Sequence, residues 1–165
     1  MRIKQAKRVS EIEADAQGHE LSLGGLEDLL GFHLRVAQAT LYRDFVGTLA
    51  KLDLTQRQFA VLELLRANPG ASQVDLARVL SLDRPAMMTV IDRLEERRLV
   101  IRQRSSSDRR RQEIRLTETG GGLLLDARKL VRRHDSRFMS RFSKAEAQAF
   151  IGALKRVYRD AADAT

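Results

Sequence analysis

From Leu26 to Leu49 large apolar side chains recur every three or four residues, at Leu26, Leu30, Leu34, Ala37, Leu41, Phe45 and Leu49. That spacing places them on one helical face and predicts a long amphipathic helix after Gly24-Gly25. Ahead of it, residues 1–20 mix basic and acidic side chains with few large apolar groups, the composition of a flexible arm. Leu52-Asp53-Leu54 closes the helix. Thr55 and Gln58 then have the spacing of a capping box for a helix through Phe59, Leu62 and Leu65, which Asn68-Pro69-Gly70 stops.

Ser72 opens a short helix with Val74, Leu76, Ala77 and Leu80 expected inside, and Ser81-Leu82 turns into another. Asp83 is the expected N-cap of that next helix, with Pro85 in its first turn, where a missing amide proton does no harm. Met87, Val90, Ile91 and Leu94 form its buried stripe, leaving Arg84, Ala86, Met88, Thr89, Asp92 and Arg93 outside or on the flanks. Leu99-Val100-Ile101 and Ile114-Arg115-Leu116 are β-like runs around a polar Ser/Arg loop and predict a hairpin. Thr117 leads into a long helix through Leu124, Ala127, Leu130, Val131 and Phe138. Ser143 and Glu146 box the start of a last helix with Phe150, Ile151, Leu154, Val157 and Tyr158 on its apolar face.

Two short helices joined by a tight turn and followed by a hairpin make a winged helix-turn-helix, so the predicted fold class is mainly α with a small β wing. Residues 55–116 carry the winged part; 21–54 and 117–165 form a flanking helical region. The apolar stripes of these flanking helices exceed what so small a winged domain can cover, which predicts burial against a second copy in a homodimer.

Charge sharpens this picture. The chain of 165 residues carries a formal net charge of +8, and a basic chain concentrates near polyanions. From Arg97 to Arg115 eight arginines stand against Asp108 and Glu113, a net +6. Arg128, Lys129, Arg132, Arg133, Arg137 and Arg141 form a second cluster that serves equally well as a solvated helix face. Cysteine is absent, excluding disulfides and thiolate metal sites and fitting a cytoplasmic setting. Three histidines lack metal-ligand spacing, and Gly120-Gly121-Gly122 lacks the surroundings of a phosphate loop; those glycines instead let a helix start close to its neighbour. No enzyme, cofactor, metal or membrane span is expected.

In order and in residues the chain resembles the MarR family of bacterial winged-helix regulators. LTQRQFAVLELL, ASQVDLARVLSLDRP and VIDRLEERRLV are similar to the family's successive helices, and DRRRQEIRLTETG, residues 108–120, looks like its wing signature. The resemblance implies a dimer held by its terminal helices on an inverted-repeat operator of double-stranded DNA, acting as a repressor. It also implies release when a small effector binds between the dimerisation and DNA-binding regions, a phenolic or aryl acid or its coenzyme A thioester. Two departures stand out. Members usually carry glycine where Arg98 stands, and Ala86 and Met88 occupy positions that are often polar in relatives.

The expected DNA contacts are Arg84, Ala86, Met88, Thr89 and Arg93 on the helix from Asp83, in the major groove, and Ser107, Arg109, Arg110 and Arg111 on the wing, with Asp108 orienting a neighbouring arginine. Arginine suits the focused negative potential of a narrow minor groove. His33, Tyr42, Arg43, His134 and Arg137 are polar groups near the implied effector junction, able to hold an anionic or aromatic ligand or to serve as packing and surface residues. An alternative function is a winged module that binds protein, or an architectural DNA-binding module without a ligand. A protein-binding wing would be acidic or apolar, and this one is basic.

Overall fold

The computed structural model describes residues 21–104 and 112–159. Its helices are α1 (Leu30–Leu49), α2 (Gln56–Ala67), α3 (Gln73–Val79), α4 (Arg84–Glu96), α5 (Glu118–Met139) and α6 (Lys144–Arg159), and strands β1 (Val100–Arg104) and β2 (Gln112–Leu116) lie between α4 and α5. The chain divides into two units between Tyr42 and Arg43, within α1.

In the first unit the apolar repeat overstates the helix. Leu26 ends a 3₁₀ turn, Gly24–Leu26, and α1 begins only at Leu30. Gly24 has φ +51°, and Glu27 N–H reaches back three residues to Gly24 O, so the chain winds too tightly there to continue into α1.

In the second unit the helix starts follow the caps. Thr55 Oγ1 accepts from Gln58 N–H while Gln58 Oε1 accepts from Thr55 N–H. Ser72 and Asp75 form the same reciprocal pair, with aspartate in place of the longer glutamine. Asp83 accepts from Ala86 N–H at 2.7 Å. At α6, Ser143 and Glu146 close a box, and hydrogen bonds from the Ser143 side chain and backbone hold the Glu146 carboxyl below the usual carboxylate range. A depressed carboxylate stabilises the fold above its unfolded pKa, so this cap weakens as pH falls through the folded value.

Helix ends are less conventional. At Asp53, Ser81 and Arg98 the backbone is left-handed, with φ 49°, 50° and 55°. After each, a leucine N–H returns to the helix: Leu54 to Leu49 O, Leu82 to Ala77 O and Leu99 to Leu94 O. These are Schellman-type exits built without glycine. Arg98 thus keeps the geometry that favours glycine. Arg98→Gly should raise the unfolding free energy by about 0.5–1 kcal/mol, the relieved left-handed strain less the freedom glycine adds to the unfolded chain. A lower denaturant midpoint for that variant would contradict it.

Val61, Leu62, Leu65, Leu76, Met87, Ile91, Leu94, Val100, Ile114 and Leu124 are buried in one core joining α2, α3, α4, the hairpin and α5. Val74, expected inside, is exposed, because Leu76 and Ala77 already fill the inner face of this short helix. β1 and β2 pair antiparallel from Val100↔Leu116 to Arg104↔Gln112, three residues further on β1 and two on β2 than the apolar runs suggested. Ile114 N–H also donates to Ala71 O at 3.0 Å, tying the hairpin to the loop ahead of α3.

The tightest junction surrounds the Leu99 carbonyl. Its oxygen accepts from Thr117 N–H and from the Thr117 hydroxyl, both at 3.1 Å. Gly120, buried in the first turn of α5, lies over it, and a Cβ added there would sit 2.0 Å from that oxygen. Of the three adjacent glycines only this one is required for close approach: Gly121 meets a side-chain carbon at 3.9 Å and Gly122 meets nothing within 4 Å.

Candidate nucleic-acid interface

Helix α4 presents two outward strips, because residues three or four apart share a face. Ala86, Thr89 and Arg93 form one, with Thr89 and Arg93 exposed and Ala86 half-buried. Met88, Asp92 and Glu95 form the other, on the flank toward β1. Among the described residues, no ion-pair partner engages Arg84 or Arg93, and both side chains are exposed. The Thr89 hydroxyl donates to Pro85 O at 3.0 Å, which leaves its oxygen free to accept and its methyl free for apolar contact. The first strip therefore offers one guanidinium and one hydroxyl acceptor, and the second offers a thioether beside two carboxylates.

Several of the clustered arginines are committed internally. Arg97 donates to Leu52 O at 3.1 Å and to Asp53 O, clamping the exit of α1. Arg115 pairs with Glu113 at 2.8 Å. Arg102 pairs with both Asp92 and Glu95 of α4. Burial opposes its charge, yet hydrogen bonds and attraction from those two carboxylates hold its pKa above the ordinary arginine value. The +6 read along the sequence is thus smaller in space, since Asp92 and Glu95 lie outside the counted window. Arg98 and Arg104 remain exposed. Ser107, Asp108, Arg109, Arg110 and Arg111 lie outside the described residues.

The second basic cluster is similarly divided. Arg128 forks onto Glu63 at 2.7 and 2.6 Å, pinning α5 to α2, and Lys129 meets Asp126. Arg132, Arg133 and Arg141 are exposed, the last over the Phe138 ring.

Of the five residues considered for an effector, His33 and Tyr42 belong to the first unit, both exposed, with His33 Nε2 at 2.6 Å from Glu27 O. Arg43, His134 and Arg137 belong to the second. His134 is buried between the rings of Phe45 and Phe138, each 5.1 Å away. Asp44, which the sequence pattern did not single out, meets His134 Nε2 at 3.3 Å and accepts from Arg137 at 2.6 Å. An acid on an exposed helix carries no periodic signal, so its hub role emerges only in three dimensions. A groove of about 450 Å³ between α2, β2 and α5 is lined by other residues, among them Leu65, Arg66, Arg115, Leu124 and Arg128. Among the described residues no group of three His, Cys, Asp or Glu side chains could hold a metal ion, and no helix is long and apolar enough to cross a membrane.

Comparison with known proteins gives a consistent picture. Residues 54–111 match the model of the MarR family. A protein of Thauera aromatica, whose name assigns it to transcriptional regulation of the hcr operon, is 38% identical over 141 residues, 85% of each chain. The transcriptional repressor CouR bound to a 23-mer DNA duplex superposes with a TM-score of 0.81 at 39% identity, covering 86% of this chain and all of that one. CouR bound to p-coumaroyl-CoA superposes with a TM-score of 0.77 at 37% identity, covering 85% and 99%.

Proposed function

The chain belongs to the MarR family of transcriptional regulators, and on that premise we propose that it is a homodimeric, ligand-responsive repressor of the bacterial cytoplasm. Helix α4 enters the major groove and the wing flanks the minor groove of an inverted repeat. The observation that carries this reading is the exposed Thr89 and Arg93 strip on a helix that packs directly on a two-stranded wing, in a fold that 86% of this chain shares with a DNA-bound repressor. Residues 55–116 act as the DNA-binding region, and 21–54 with 117–165 as the dimerisation region. Apolar side chains left uncovered, including Leu30 and Leu41 on α1 and Phe150, Ile151 and Val157 on α6, supply the surface for a second copy. In a two-fold dimer the recognition helices then meet half-sites about one DNA turn, ~34 Å, apart.

The CouR neighbour that holds p-coumaroyl-CoA supports one effector class, a coenzyme A thioester of an aromatic acid. Arg43, His134 and Arg137 are the second-unit residues offered to it. Duplexes enriched from a random-sequence pool should carry an inverted repeat, and p-coumaroyl-CoA should release them where p-coumarate or coenzyme A alone does not. A protein that enriches no duplex defeats the DNA-binding reading, and one that keeps its DNA with the thioester defeats only this effector class.

Within that assay Arg93→Ala should weaken the enriched duplex by about 1–3 kcal/mol and relax preference at one base pair per half-site. Equal losses on enriched and unselected duplexes would assign Arg93 to phosphate.

A further inference from the structure

One side chain ties the root of the wing to the recognition helix. Arg102 shares the inward face of β1 with Val100 and stands opposite Ile114 of β2, so its side chain is directed under the hairpin and is only 20% exposed. Its guanidinium pairs with Asp92 and Glu95, and Glu95 Oε1 also accepts from the Arg102 backbone N–H at 3.1 Å. Helix and strand are thereby joined by two side-chain pairs and one backbone bond.

We propose that Arg102 is a positioning and specificity-determining residue for DNA binding. It sets the angle between α4 and the wing, and it neutralises two carboxylates that the recognition helix carries next to the major groove, while its own charge is withheld from phosphate. This rests on α4 being the helix that enters the groove. Unneutralised, Asp92 and Glu95 would repel every duplex alike; freed of them, Arg102 would attract every duplex alike. The tether holds the flank near neutral, so that discrimination is left to the Thr89 and Arg93 strip. Arginine suits the task because its planar fork reaches two carboxylates at once, whereas a lysine ammonium is a single point charge.

The test measures affinity against salt concentration for a duplex enriched on the wild-type protein and for an unselected duplex of equal length. Arg102→Ala should weaken the enriched duplex by about tenfold or more, Arg102→Lys should restore only part of that loss, and Asp92→Asn with Glu95→Gln added to Arg102→Ala should recover the share due to repulsion. Asp92→Asn with Glu95→Gln should strengthen the unselected duplex and so narrow the ratio between the two. A loss in Arg102→Ala that neutralising Asp92 and Glu95 leaves undiminished would make the residue an ordinary phosphate contact and overturn the proposal. So would full affinity in that variant, or an unchanged ratio in the Asp92/Glu95 double variant, which also decides the matter if Arg102→Ala fails to fold. Failure of the wild-type protein to enrich any duplex would instead defeat the DNA-binding reading.

Discussion

Gly120→Ala should lower the unfolding free energy by about 3 kcal/mol or more, at the upper end of overpacking effects. The added methyl would lie 2.0 Å from the Leu99 carbonyl oxygen and 2.9 Å from its carbon. Those atoms are backbone, fixed from below by the Leu99 N–H bond to Leu94 O and from above by Thr117. No rotamer change makes room, so either the first turn of α5 or the start of β1 must move. Gly122→Ala makes the opposite case: nothing lies within 4 Å, the position is exposed helix, and alanine there should add about 1 kcal/mol. Denaturant unfolding of the two variants beside the parent reads both effects, and matching midpoints for the pair would show that α5 does not begin against Leu99.

The largest loss of DNA affinity without loss of fold is expected from the wing. The strands pair out to Arg104↔Gln112, and the residues joining their ends include Arg109 and Arg110. Alanine at both should cut affinity for an enriched duplex about 100-fold near physiological salt and lower the salt slope by about two, one for each phosphate-linked cation removed. Lysine at both should keep the slope and lose part of the affinity, because an ammonium holds its water more tightly than a guanidinium entering a narrow minor groove. Unfolding should be unaffected. A parental slope in the double-alanine variant would remove both residues from the interface.

How much of this could be read from residues alone depends on how local the governing physics is. Helix starts were legible at Thr55, Ser72, Asp83 and Ser143 because a cap is a contact across three residues. Helix ends were legible at Leu52-Asp53-Leu54, Asn68-Pro69-Gly70 and Ser81-Leu82, but their geometry was not, since Asp53, Ser81 and Arg98 turn left-handed without the glycine that usually marks the place, and the deciding bond is a leucine amide reaching back into a core not yet built. The stripe of α4 was correct at Met87, Val90, Ile91 and Leu94. Periodicity ranked Thr89 and Met88 together as outward, and only the position of β1 separates the strip facing solvent from the strip facing Arg102. Charge was the least transferable signal. Arg97 and Arg102 counted toward a basic surface along the chain, yet their partners are carbonyls and carboxylates elsewhere in the fold. The glycine triplet was recognisable as a site of close approach, but which glycine mattered depends on the path of Leu99.

That path has a mechanical consequence. The 22 residues of α5 form a rod about 33 Å long, so a turn of only ~5° about the Leu99 carbonyl sweeps the far end through about 3 Å. At that far end His134 and Arg137 hold Asp44. Any tilt of α5 about its close contact with Leu99 would therefore be largest beside Asp44 and smallest at Gly120, where the helix meets the root of the hairpin.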